Sequence, residues 1–315
     1  MNTTTQVLDN TNSTSISTRL AKNFRRNIKE RLIELLLMLC ALSAVFTTLA
    51  IVAILLYESF SFFEHVSIVD FLTDRQWTPL FEDAHYGILP LISGTITTSA
   101  IALAFAIPVG TIAAIYLSEF ASHQTRETVK PILELLAGVP TIAFGYFALL
   151  FVTPLLQTIF PTLPTFNMLG PGIVIGIMVV PYIASISEDA MRSVPMSMRE
   201  GSYAMGATRF QTAMRVVTPA AISGIVAAYI LAISRAVGET MVVAIAAGQQ
   251  PNLTFNPMDS AATITAYIVQ VAMGDLPHGS IGYQSIFAAG LVLMLMTLFF
   301  NIIGHFTRKK FREAY

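Results

Sequence analysis

Charge-poor apolar runs divide this chain into segments of membrane-crossing length. A bilayer core takes about 20 apolar residues of helix, and residues 35–57 supply the first such run. The second lies within 86–120, where Glu119 is the only charged residue. Residues 135–187 carry no charge after Glu134 and exceed one crossing. Pro161 and Pro164, with Thr162, Thr165 and Asn167 between and beside them, mark a turn, so the stretch divides into spans near 136–159 and 168–187. A fifth span begins near Pro219 and ends before Pro251, and a sixth covers roughly 281–307. The pattern predicts an all-α integral membrane protein of six transmembrane helices.

Composition agrees with the pattern. Hydrophobic residues make up 54% of the 315 and charged residues 12%, against about 25% charge in soluble domains. Charge placement then orients the chain. All but two of the 18 Lys and Arg residues lie before the first span, after the second, after the fourth or after the last; the exceptions are Arg75 and Arg235. By the positive-inside rule those four segments are cytoplasmic, and so are both termini. The expected plan is a disordered, basic cytoplasmic tail (1–31), a first transmembrane anchor (32–58) and a periplasmic loop (59–85) in which Trp77 suggests a short interfacial helix. A core of five transmembrane helices (86–307) and a basic cytoplasmic tail (308–315) follow. The Thr-, Asn- and Ser-rich start has no apolar period and predicts disorder. No small-residue cleavage pattern follows the first span, so it reads as a retained anchor.

Several chemistries lack their residues. Cys40 is the single cysteine, so there is neither a disulfide framework nor a thiolate metal site. The five histidines, at 65, 85, 123, 278 and 305, show no metal-ligand spacing. No phosphate-binding glycine loop occurs, and no nucleophile–base set is visible. Neither catalysis, a cofactor, a metal nor nucleic-acid binding is expected of this chain.

The longest cytoplasmic gap, 188–219, is punctuated like a folded element. Pro195 suits the first turn of a helix, or Ser197 to Glu200 forms a capping box that starts it slightly later. Gly206 supplies a stop. Thr208 and Gln211 form a second capping box, and Pro219 redirects the chain into the membrane. Tyr203, Met205, Phe210 and Met214 give this element an apolar face to bury, either against a soluble partner or on lipid.

Glu200-Gly201-Ser202, three residues, Gly206, nine residues, then Val216-Val217-Thr218-Pro219 resembles the E-A-A-x3-G-x9-I-x-L-P loop of bacterial ABC importer permeases. The glutamate, both spacings, the glycine and the proline match; Gly201, Ser202, Val216 and Thr218 depart. The resemblance implies a type I importer permease (MetI-like) core, in which this loop seats in a groove of the ATPase subunit. Glu200, Gly201, Ser202, Gly206 and Pro219 are then the ATPase-coupling residues. Gly138-Val139-Pro140-Thr141 through Gly145-Tyr146, and Arg235-Ala236-Val237-Gly238-Glu239-Thr240-Met241, look like segments of phosphate permeases of the PstC type. So do Pro90 to Thr95 and Leu117-Ser118-Glu119-Phe120. The resemblance implies three partners besides membrane lipid: a second permease subunit, a dimer of ATP-binding subunits, and a periplasmic or surface phosphate-binding protein. It also implies the bacterial cytoplasmic (inner) membrane.

Arg235 and Glu239 are two charges inside the fifth span. Ionised groups there cost at least about 2.5–3.5 kcal/mol on insertion scales, so they face protein or water. If the helix is continuous, they share one face four residues apart. Three readings follow: substrate pathway residues together with Thr240, an intrahelical ion pair, or an arginine reaching to the outer interface. Arginine's planar fork suits an oxyanion, and Glu239 would keep it from holding the anion too tightly. The outer loops carry Glu58, Glu64, Asp70, Asp74, Glu82, Asp83, Asp259 and Asp275 against Arg75 alone, which repels a free anion. A carrier protein docking on that face removes the difficulty. Gly138, Gly145, Gly172 and Gly176 predict close helix packing, and Pro140 and Pro181 predict kinks. A permease for another oxyanion or small solute of the same class, and a stand-alone secondary transporter with an Arg235–Glu239 charge relay, are the alternatives.

Overall fold

The computed structural model describes residues 4–310 other than Glu82, with side chains from 30 to 309. The chain forms two units, Met1–Tyr57 and Glu58–Tyr315. A single helix, α1 (Thr4–Phe63), makes up the described part of the first unit and runs into the second. It therefore takes in most of the segment expected as a disordered tail, and it extends past residue 58. Residues 4–63 contain neither Gly nor Pro, so nothing in the backbone stops a helix that the apolar span nucleates.

In the second unit, α2 (Ile68–Thr73) is the short helix expected in the first outer loop. Trp77 lies beyond it and pairs in an isolated antiparallel bridge with Tyr86. The indole is only 2% exposed, inside an aromatic cluster with Phe62, Phe71 and Tyr267. It is core, where the sequence suggested a membrane-interface residue.

The bundle is built around α3 (Leu89–Ile115) and α7 (Leu169–Arg192). Small residues set their separation. A Cβ on Gly110 would sit 2.7 Å from Ile183 Cβ, one on Gly172 2.7 Å from Ile101 Cγ2, and one on Gly176 2.9 Å from the Ala102 carbonyl oxygen. The packing expected of Gly172 and Gly176 is present. Between these helices in sequence come α4 (His123–Ala137), α5 (Thr141–Phe147) and α6 (Thr153–Ile159). A π-helical stretch, Ala148–Val152, joins the last two. Helix α4 is amphipathic and was missed from sequence. Its local signal is Ser122, whose hydroxyl accepts from the Thr125 amide at 3.1 Å as an N-cap. Gly138 ends α4, and Pro140 is the N-cap of α5. Neither performs the packing or kinking role expected of it, because the chain changes helix there.

The remaining helices are α8 (Met196–Ala204), α9 (Arg209–Thr212), α10 (Thr218–Ala220), α11 (Ile222–Val237), α12 (Met241–Ala246), α13 (Ile264–Gln270) and α14 (Ile281–Lys310). Among the described residues, five helical stretches have the length and hydropathy to cross a bilayer. A sixth is a bent pair, Arg209–Ala220 with Ile222–Val237, turned by 72°. The bend follows Pro219, as expected. The fifth span does not continue as one helix to Pro251, however. It ends at Val237, resumes as α12, reverses at Gly248 and returns as irregular backbone through 249–263.

Irregular backbone at such depth needs internal partners. Ala262 N donates to Gln250 O at 2.8 Å and Ala261 N to Ala247 O at 3.2 Å. Ile264 N reaches Thr95 Oγ1 at 3.0 Å, and Thr265 Oγ1 reaches Glu239 O at 2.6 Å. Gly94 allows this return segment to lie against α3, since a Cβ there would be 2.3 Å from the Ala262 carbonyl oxygen.

Candidate functional site

Two regions gather the candidate residues. At the loop end of the bundle, Pro195 caps α8, so the helix begins before the alternative Ser197–Glu200 box can form. Gly206 takes φ +82°, a left-handed conformation that glycine adopts without strain. Its amide donates to Tyr203 O at 2.9 Å, closing the helix. The Thr208 box forms as expected: Gln211 N donates to Thr208 Oγ1 at 3.3 Å, and Thr208 N donates to Gln211 Oε1 at 2.9 Å. Ser202 and Thr212 hydroxyls, 2.8 Å apart, pin α8 to α9.

The outer surface of this helix pair is apolar. Met205 is 88% exposed and Phe210 62%, with Tyr203, Met214 and Met196 also exposed. Glu200 and Gly201 lie on the exposed surface too, and nothing comes within 4 Å of a Cβ built at Gly201. Glu200, Gly201 and Ser202 lie in α8, Gly206 just beyond its end, and Pro219 in α10.

Behind it lies a charge network whose pairing the sequence does not show. Arg199 is buried beneath α8. Its Nη2 donates to Glu119 Oε1 at 2.9 Å and its Nε to Oε2 at 3.3 Å. The same guanidinium donates to Val194 O at 2.6 Å and to Met191 O at 2.9 Å, carbonyls at and just beyond the end of α7. Glu119 sits in a π-helical turn, Tyr116–Phe120, that ends the α3 span. Next to this pair, the fully buried Glu188 carboxylate meets Lys130 Nζ at 2.9 Å, Arg126 Nε at 3.5 Å and Arg192 Nη1 at 3.6 Å. Arg126 Nε also donates to Leu117 O in the π turn, linking the two clusters. Burial works against the Lys130 ammonium, but its hydrogen bonds to Asp189 and Glu188 prevail and raise its pKa above the usual lysine value. A signal was available in the sequence: Glu119 is the lone charge of its span, and such a charge requires a partner. The partner lies 80 positions away.

The second region is the break after α11. Glu239 lies beyond the helix end, so it does not share a helical face with Arg235 as a continuous span would require. Among the described residues the Arg235 guanidinium has no carboxylate within 4.0 Å, which removes the intrahelical ion pair. It lies over the Tyr182 ring of α7, its central carbon 4.4 Å from the centroid. Its buried Nε has no hydrogen-bond partner. Glu239 is 7% exposed and accepts from Val242 N at 3.4 Å. Thr240 Oγ1 donates to Gly238 O at 3.2 Å within the same turn. Gly145 permits α5 to approach here, since its Cβ would be 3.1 Å from Met241 O. Beyond α12, a cleft of about 710 Å³ opens between Tyr146, Thr165, Phe166, Gly248, Gln249 and Ser260. The structure therefore keeps Arg235, Glu239 and Thr240 close in sequence and backbone but places them on different elements. It does not bring them together with the loop residues. Among the described residues no cluster of His, Cys, Asp and Glu has metal-site geometry.

Comparisons with known proteins place this arrangement. Residues 106–313 match the family described as "Binding-protein-dependent transport system inner membrane component". The chain is 33% identical over 300 residues to the Probable ABC transporter permease protein YqgH of Bacillus subtilis, covering 94% of this chain and 97% of that protein. It is 37% identical over 243 residues to the Phosphate transport system permease protein PstC 1 of Mycobacterium tuberculosis, covering 70% and 71%. The PstC protein of Mesorhizobium japonicum is 34% identical over 258 residues, with 75% and 77% covered. Among solved structures, a bacterial ABC transporter involved in alginate import superposes with TM-score 0.63 at 17% identity, covering 94% of this chain and 100% of that one. The MetNI methionine ABC transporter gives 0.53 at 18% identity, covering 72% and 95%. These two share the fold.

Proposed function

The chain belongs to the family of inner membrane components of binding-protein-dependent transport systems, and from that premise we propose that it is the PstC-type permease of an ATP-driven phosphate importer. As a family member it is a multi-pass, non-catalytic membrane subunit. In the proposed assembly it pairs with a second permease subunit to enclose the pathway. A dimer of ATP-binding subunits seats against α8 and α9, and a phosphate-binding protein delivers substrate to the opposite end. Both termini are cytoplasmic in this reading, on the side of the basic segments.

The observation that carries the phosphate reading is Arg235. It is an arginine at the end of an apolar helix, oriented by Tyr182, whose buried Nε lacks an acceptor. A guanidinium with unused donors suits an oxyanion in transit. Glu239, four residues on and not in salt-bridge contact with it, limits how tightly the anion is held. Two of the eight outer acids are engaged locally, Asp74 with His85 at 2.8 Å and Asp259 with Thr254 at 2.7 Å. The others leave an anionic surface consistent with delivery by a carrier protein. A stand-alone charge relay has less support, because Arg235 and Glu239 do not pair and an exposed apolar docking loop would have no use.

The test is uptake by the complex reconstituted in liposomes, with phosphate and sulfate compared. Phosphate should move in preference to sulfate, and Arg235→Gln should abolish uptake at normal expression. Unchanged uptake by Arg235→Gln would refute the pathway role, and sulfate preference would refute the substrate.

A further inference from the structure

We propose that Arg199 and Glu119 form a latch that fixes the docking helix to both central helices, and that it transmits the docking partner's movement to the pathway. This goes beyond the function proposed above but rests on its reading of residues 200–219 as the ATPase dock. Neither residue belongs to that docking surface: Arg199 is buried, and Glu119 lies in a different helix 80 positions earlier.

The geometry is that of a three-way clamp. One guanidinium makes four hydrogen bonds, two to the Glu119 carboxylate and two to the carbonyls of Met191 and Val194. Those carbonyls lie at the end of α7, where helical partners run out. Arg199 itself is in the first turn of α8. A displacement of α8 therefore cannot leave α3 and α7 in place without breaking hydrogen bonds to a buried charge. Such bonds are stronger than neutral ones, and their loss strands an ion away from water.

What the clamp holds is stiff. Helices α3 and α7 touch through Gly110, Gly172 and Gly176 with no room for one methyl group. They move together or not at all. Further along α7 is Tyr182, the ring beneath Arg235. One path from the dock to the helix break thus runs through α8, the latch and α7 to the Arg235–Tyr182 contact. The π turn containing Glu119 has a second tie, through Arg126, to the buried Glu188 on α7. Both clusters lie at the same end of the α3–α7 pair and share one purpose there: neither helix end is free to shift alone.

The roles of the two residues are positional, so the test must separate transmission from folding. In the reconstituted complex, Glu119→Gln and Arg199→Lys should co-purify with the ATP-binding subunit and retain basal ATPase activity. Phosphate moved per ATP hydrolysed should fall about tenfold, the scale of a typical coupling free energy. The double variant should be no worse than the poorer single one, because both break the same clamp. Glu200→Lys, at the exposed dock, should instead lose co-purification. A parental phosphate-to-ATP ratio in Glu119→Gln would overturn the proposal. So would transport loss that merely tracks loss of assembled complex. Hydrogen exchange on the purified chain alone tests the latch independently of any ATPase. Glu119→Gln should speed exchange in residues 196–204 about tenfold, as local opening predicts, and unchanged exchange would also overturn it. If the parental chain failed to bind an ATP-binding subunit while this exchange effect held, the docking assignment would fall and the clamp would stand.

Discussion

Gly248→Ala should damage the return segment by two separable routes. Gly248 has φ +100°, a left-handed conformation, and a Cβ there would lie 2.1 Å from Ser260 Oγ. The conformational penalty for an L-residue is about 1–2 kcal/mol, and forcing an atom into a filled site adds about 1–3 kcal/mol. Together they approach a large fraction of a typical net stability. Only the second contribution depends on Ser260, so Gly248→Ala with Ser260→Gly should recover the clash and leave the backbone strain. Ser260→Gly alone forfeits the Ser260 Oγ donation to Ala247 O at 3.2 Å, about 0.5–1.5 kcal/mol, which sets the baseline for the double variant. Thermal unfolding of the purified chain in detergent should rank the parent highest, Gly248→Ala lowest and the double variant between them. Phosphate uptake should follow the same order, since Gly248 lines the cleft beyond α12. If the double variant unfolds with Gly248→Ala, the clash is not the cause. If Gly248→Ala matches the parent, the close return of 249–263 over α12 is refuted.

Two further outcomes are expected. Thr208→Ala removes the reciprocal cap of α9, worth about 0.5–2 kcal/mol, and should raise hydrogen exchange at Gln211 and Thr212 while leaving α8 protected; equal change in both helices would contradict independent capping. At Asp74, burial tends to raise the carboxyl pKa, but hydrogen bonds from His85 and the backbone amides of Gln76 and Arg75 prevail and hold it below the usual aspartate value. A depressed acid pKa adds stability that is complete above the unfolded value and is lost as pH falls through the folded one. The Thr78 and Gly87 amides, which bond His85 O and Gln76 O, should therefore keep their protection down to about pH 4 and lose it below, after correction for intrinsic exchange. Loss of protection between pH 5 and 7 would show that the Asp74 carboxylate is not what holds the hairpin.

Much of the bundle was readable because membrane spans announce themselves by length and lack of charge. The capped helices of the loop were readable for a different reason. Pro195, Gly206, Thr208 and Gln211 act on their immediate neighbours, so their spacing carries the structure. The end of α11 was not readable. Residues 219–250 are uncharged apart from Arg235 and Glu239, and no proline separates α11 from α12. Gly238 alone does not distinguish a break from a tolerated glycine in a long helix. What decides it is tertiary: Gly94 and Gly145 admit neighbouring backbone, and Thr95 and Thr265 satisfy the groups that the break exposes.

Compensation separates the two charged regions and explains why only one was found. At the loop end every buried charge has its opposite: Glu119 has Arg199, and Glu188 has Lys130, Arg126 and Arg192. Arg192 is four positions from Glu188, but the partners of Glu119 and the other partners of Glu188 lie tens of positions away, so that balance exists only after folding. Arg235 looked exceptional in sequence because it sits in an apolar span, and it remains so in the fold, with an aromatic face where a carboxylate would complete it. A buried donor left open costs free energy at every moment the site is empty. In a structural role that cost has no return, and a glutamate at hydrogen-bonding distance would remove it. In a pathway it is the condition for binding an anion briefly, since full internal compensation would leave nothing for the substrate to gain. In the proposed mechanism the unpaired Arg235 meets cargo and the paired Arg199 carries force.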